Sequence, residues 1–164
     1  MKKFCFAILC VFMLSGCSSV ETMETIRDDE AFPVMGEAAK VHLSIPEIEN
    51  AQVVEDGAGS KIYLFNDFCV TVQTLDGGNM EKTLELVSGF DAGKLTLLKT
   101  DQGDCLQFRC AWSATGEQED LLCRAVVVDD GRYHYAVTVM ADSSEIAEQP
   151  ELWDILDTVK LSTD

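Results

Sequence analysis

Seven cysteines and two histidines are the residues of this 164-residue chain best suited to nucleophilic, redox or metal chemistry. Cys5, Cys10 and Cys17 crowd the first seventeen positions, and Cys69, Cys105, Cys110 and Cys123 are spread over the rest. A cysteine nucleophile needs a base within hydrogen-bond reach, and Cys69 with His134 is the candidate pair. Zinc asks for three or four clustered ligands. Here no CxxC occurs, and His42 and His134 each stand alone in a strand-like stretch, so no metal site is assigned and no cofactor is expected. "DQGD" offers Asp101 and Asp104 to calcium, and "VDDGR" offers Asp129 and Asp130. Neither has EF-hand spacing, and Asp beside Gly is ordinary turn chemistry. The GxSxG elbow of hydrolases is missing, and "EDGAGSK" lacks P-loop order. The expectation is a protein that is not an enzyme.

Cys17 stands apart, because its surroundings point to covalent modification. The chain opens "MKKFCFAILCVFMLSGC": Lys2 and Lys3, then an apolar run of eleven residues from Phe4 to Leu14, then small residues. That is the layout of an export signal. Eleven residues make a helix of roughly 16 Å, against about 30 Å for a bilayer core, which is too short for a permanent span. "LSGC" resembles the lipobox of bacterial lipoproteins. The resemblance implies removal of residues 1–16, a diacylglycerol on the Cys17 thiol, and an acylated Cys17 as the new amino terminus. Two or more acyl chains anchor stably where one does so only marginally. The implied location is outside the cytoplasm, lipid-anchored to a bacterial membrane. In a cell with two membranes, Ser18 after the cysteine resembles the residues that permit transfer to the outer one.

The formal charge of −17 becomes −19 once Lys2 and Lys3 are removed. Such a domain is repelled by nucleic acid and by anionic headgroups, so nucleic-acid binding is excluded as an expectation. Residues 17–37 form an acidic stretch without sustained periodicity and read as a tether; twenty flexible residues span on the order of 25 Å. Residues 38–164 suffice for one domain with one core.

The elements that must position any site follow from periodicity. Val41, Leu43 and Ile45 alternate along a strand that ends at Pro46. A hairpin is expected over Asp56–Ser60, with an interruption near Asn66 and Asp67. Met80, Leu84 and Val87 fall at helical spacing after an Asn79 cap and before Gly89. "KLTLLKT", "CLQFRCAWSA", "LLCRAVVV" and "RYHYAVTVMA" read as four successive strands. Their two faces are both largely apolar, so the middle of the sheet is expected to be covered on both sides. Centring the last turn on Asp130–Gly131 pairs Val128 with Tyr133 and Val126 with Tyr135. Centring the preceding loop between Gly116 and Glu117 sets Cys110 opposite Cys123, a candidate disulfide; Cys69–Cys105 is a weaker one. Pro150 opens a C-terminal helix carrying Leu152, Trp153, Ile155, Leu156 and Val159, with Trp153 and Leu156 read as core residues facing the sheet. "VKLS" can close as a short strand.

The order of strands, helix, four antiparallel strands and terminal helix is similar to the PsbP-like fold, above all in "GRYHYAVTVMADSSEIAEQPELWDILDTVKLS". The fold class expected is α+β, a predominantly antiparallel sheet flanked by helices in one domain. The resemblance implies a binding or accessory role within larger assemblies, and it marks no functional residue. The expected function is therefore a non-catalytic module for an envelope protein or component. The alternative is a small-molecule carrier or sensor with its ligand held between helix and sheet, which an exposed pocket near Trp112 or Trp153 would favour.

Overall fold

The computed structural model describes residues 37–56, 59–102, 105–115 and 120–162. Cys17, the signal-like segment 1–16 and the tether as far as residue 36 lie outside the described residues, as does Asp104.

Among the described residues, nine strands and three short α-helices follow one another. β1 (Lys40–His42) precedes β2 (Gln52–Asp56), β3 (Ser60–Leu64) and β4 (Phe68–Asp76). α1 (Met80–Ser88) then leads to β5 (Thr96–Asp101), β6 (Leu106–Thr115), β7 (Asp120–Asp129) and β8 (Tyr133–Ala141). α2 (Ser144–Ala147) and α3 (Pro150–Asp154) come next, a 3-10 turn covers Ile155–Thr158, and β9 (Lys160–Ser162) ends the described chain. Seven strands form one antiparallel sheet in the order β2-β3-β4-β8-β7-β6-β5, and β1 pairs with β9 in a small second sheet. This is an α+β architecture dominated by antiparallel sheet.

Period-two alternation sorts the central strands into two cores. Val126, Val128, Tyr135, Val137 and Val139 face one side, where Leu152, Ile155, Leu156 and Val159 cover them. Ala125, Val127, Ala136 and Phe108 face the other side, beneath Met80 and Leu84 of α1. The middle of the sheet is thus apolar on both faces, as expected for a layer covered twice. α1 starts where Asn79 accepts from the backbone N–H groups of Glu81 and Lys82, which satisfies two of the helix's orphan donors.

Two turns differ from expectation by one residue each. The β7–β8 turn has Gly131 and Arg132 at its centre, with Gly131 at φ 83° supplying the positive dihedral. Asp130 Oδ1 holds the turn by accepting from the backbone of Arg132 and Tyr133. Moving a turn centre by one residue moves the register by two, so Val128 faces Tyr135 rather than Tyr133. Parity survives such a shift, so every residue keeps its face. The same displacement in β6–β7 sets Cys110 opposite Ala125 and Cys123 opposite Trp112. The two cysteines become diagonal neighbours, about 7–8 Å apart at Cα, beyond the reach of an unstrained bridge. Cys69, Cys105, Cys110 and Cys123 are all free thiols.

The C-terminal cover also departs from a single helix. Only Pro150–Asp154 is α-helical; the chain tightens into the 3-10 turn before β9 returns alongside β1. Val41 packs on the same core from that small sheet, whereas Leu43 and Ile45 pack on it from the segment after β1, so the strand expected to run to Pro46 ends at His42.

Candidate functional site

The first core is not covered to its edge. Residues 147–157 cross over the central strands and leave Thr96 and Leu98 of β5 and Ala111 of β6 exposed on that face, along a groove of about 660 Å³. Its floor is made by Thr96 and Leu98 of the edge strand with Arg109 of β6 and Arg124 of β7; its wall is made by Glu148, Trp153, Asp154 and Asp157. Leu98 is 62% exposed there.

Trp153 is the fixed point of this groove. Its indole Nε1 donates to the carbonyl of Ala147 at 2.8 Å, which holds the ring in one orientation. The Arg124 guanidinium lies over that ring, 4.2 Å from the centroid. Such a cation–π contact contributes about 0.5–1 kcal/mol at an exposed site. Arg124 has no carboxylate partner among the described residues, whereas Arg109 is engaged by Asp157. The carboxylates of Glu148 and Asp154 likewise have no ion-pair or hydrogen-bond partner among the described residues. Trp153, read from the sequence as a core residue, only partly packs on the core and gives one face to Arg124; Leu156 is buried as expected. The arginines carried no sequence signal of their own, because their partner ring lies 29 positions beyond Arg124.

A second polar cluster lies on the opposite face, beneath α1. His134 is 0% exposed, and its Nδ1 meets the Thr83 hydroxyl at 2.7 Å. Its Nε2 faces Asp129 Oδ2 at 3.7 Å, too far for a hydrogen bond, and has no other partner. The carboxylate favours the tautomer with Nε2–H pointing towards it, so the Thr83 hydroxyl donates to Nδ1. Burial pushes the Asp129 carboxyl up, but the imidazole and the Gly131 N–H outweigh it, and the group ends below its ordinary range. Hydroxyl, imidazole and carboxylate are the ingredients of nucleophilic catalysis. Here Thr83 and Asp129 are buried beside the fully enclosed His134, so no substrate reaches the hydroxyl. The cluster ties α1 to the β7–β8 hairpin.

The residues singled out by sequence are not brought together as a catalytic pair. Cys69 sits opposite Met140 and His134 opposite Leu75, six positions apart along β8 or roughly 20 Å. Burial raises the Cys69 thiol, so it is not an activated thiolate. Burial likewise pushes Cys110 and Cys123 up to about 11. His42 is exposed and hydrogen-bonds Ser162 across the small sheet at 2.7 Å. The calcium candidates Asp129 and Asp130 spend their oxygens on the turn: Asp129 accepts from Gly131, and Asp130 from Arg132, Tyr133 and the Tyr135 hydroxyl. Among the described residues, no three His, Cys, Asp or Glu side chains converge on a metal position. Among them, too, no helix is long and apolar enough to cross a membrane.

No family model and no curated protein matches this sequence. One solved structure, of a protein from Bacteroides thetaiotaomicron VPI-5482, is similar at 14% identity with a TM-score of 0.46. The match covers 76% of this chain and 46% of that one, so this chain spans less than half the length of its neighbour.

Proposed function

We propose that this chain is a non-catalytic binding module, held at a membrane by acyl chains on Cys17, that takes its ligand in the groove between residues 147–157 and the sheet. The groove carries the reading. It is an open surface groove, and an immobilised aromatic ring beside a few convergent polar groups is how a binding site orients a ligand. This favours a carrier or sensor with its ligand between helix and sheet over a module that binds only a protein. The "LSGC" pattern supports the anchor, at the outer membrane in a cell that has two. The order of elements supports a PsbP-like arrangement, which goes with binding rather than catalysis. The buried thiols and the enclosed Thr83–His134–Asp129 cluster add to the case against an enzyme.

One observation favours an envelope protein as a second ligand. Val53 and Val54 are exposed on the edge strand β2, beside exposed Leu64 of β3. An edge strand with apolar residues on both faces is a template for pairing with another chain.

The test is a photo-crosslinking residue at Leu98, used in intact cells and followed by recovery of the lipoprotein and mass spectrometry. The expected result is a defined adduct that disappears in Trp153→Ala, with Cys17→Ala moving the protein from the membrane to the soluble fraction. An adduct indifferent to Trp153→Ala, or a Cys17→Ala variant that still sediments with membranes, contradicts the proposal.

A further inference from the structure

We infer that the groove takes a dipolar ligand, a short peptide or amino acid whose free carboxylate meets Arg124 and whose ammonium group meets Glu148 and Asp154. This rests on the groove being the binding site, and it names the chemistry that site selects.

The charges in the groove carry the inference. Arg109 is neutralised by Asp157, but Arg124 has no carboxylate partner among the described residues, in a chain of net charge −17. A guanidinium stacked on a ring keeps its N–H fork at the ring's edge, where it can take a carboxylate in bidentate fashion. Glu148 and Asp154 line the same groove, also unpaired among the described residues, and neither reaches Arg124. Opposite charges that share one groove without pairing are the complement of a ligand that carries both signs. A simple anion meets two acids there, and a simple cation meets Arg124. The dipole alone satisfies each end.

Preorganisation adds to this. Trp153 is held by Ala147, so the Arg124 platform costs little to order when a ligand arrives. Leu98, exposed on the floor, gives an apolar surface for the ligand's side chain.

The experiment is isothermal titration of the full chain in detergent with the tripeptide Ala-Leu-Ala, its N-acetylated form, its C-amidated form and the doubly blocked form. Free Ala-Leu-Ala is expected to bind, and each single block is expected to weaken binding about tenfold or more, since each removes a charge-assisted contact. Arg124→Gln is expected to weaken the free peptide by a similar factor and to leave the amidated peptide unchanged, because that peptide has no carboxylate to lose. Unchanged circular dichroism of Arg124→Gln excludes a folding defect. If the doubly blocked peptide binds as well as the free one and Trp153→Ala abolishes both, the groove is the site and the dipolar assignment is wrong. If no peptide binds while Leu98 still yields its Trp153-dependent adduct, the assignment again fails and the binding module stands. Failure of both experiments removes both.

Discussion

The two polar clusters of this domain sit on opposite faces of one sheet and make opposite uses of charge. Beneath α1, Thr83, His134 and Asp129 are buried: Thr83 meets His134 Nδ1 and Asp129 accepts from Gly131, while His134 Nε2 faces Asp129 at 3.7 Å. In the groove, Arg124, Glu148 and Asp154 are exposed and unspent. A buried group must find its partner inside the protein, because leaving it without one costs about 1–3 kcal/mol or more. A group at the surface pays no such penalty and stays available. The chemistry that looks most catalytic is therefore enclosed by the fold, and the chemistry that looks ordinary is what the proposed binding site leaves open.

That contrast is broken most directly by removing its buried side. His134→Ala should lower stability by about 3–5 kcal/mol, since it empties a large enclosed volume and leaves the Thr83 hydroxyl without its partner. Denaturant unfolding measures the loss, and titration of the groove under native conditions should show affinity unchanged. Loss of affinity at unchanged stability would place function under α1 instead.

Gly77→Ala tests how the hairpin that carries His134 is held. An added Cβ would lie 2.3 Å from the Arg132 carbonyl oxygen, which also accepts from the Gly77 N–H at 2.9 Å. Both are backbone atoms, so the strand end must shift, at an expected cost of about 1–3 kcal/mol in the denaturation midpoint.

Alkali should act on the sheet through its buried thiols. Cys110 and Cys123 have folded pKa values of about 11 against an ordinary 9.0, with burial as the main cause. A raised folded pKa means that the unfolded chain gives up its protons first. The stabilisation is complete below pH 9 and is lost as pH rises towards 11. Unfolding midpoints recorded across that window should fall, and they should fall less in Cys110→Ala than in the parent.

The smallest effect is expected for Arg124→Ala, at or below about 1 kcal/mol of stability, because an exposed cation–π contact is all that is lost. A larger loss would make Arg124 part of the framework and blur the distinction between the clusters.

Much of the fold was legible in local pattern. Alternation in "LLCRAVVV" and "RYHYAVTV" told which residues share a face, and the caps Asn79 and Gly89 bracketed α1. Register was not legible, because two turn centres one residue apart satisfy the same alternation. In the β7–β8 turn, the side chain of Asp130 decided between them by holding Arg132 and Tyr133. The predicted Cys110–Cys123 pairing failed for that kind of reason. The buried cluster was half legible: Asp129 and His134 face each other across the hairpin once its turn is placed, but Thr83 arrives from a helix 51 positions away. The groove was hidden, because it depends on where the chain of residues 147–157 stops covering the sheet. No periodicity records that.

The most direct measurement is a two-dimensional NMR titration of the full chain, labelled at tryptophan, with Ala-Leu-Ala. The protein has two indole signals, from Trp112 on the α1 face and Trp153 in the groove. The Trp153 signal should move with ligand concentration, the Trp112 signal should stay, and Arg124→Gln should suppress the movement. Movement of Trp112 with Trp153 unmoved would contradict the groove as the site of recognition.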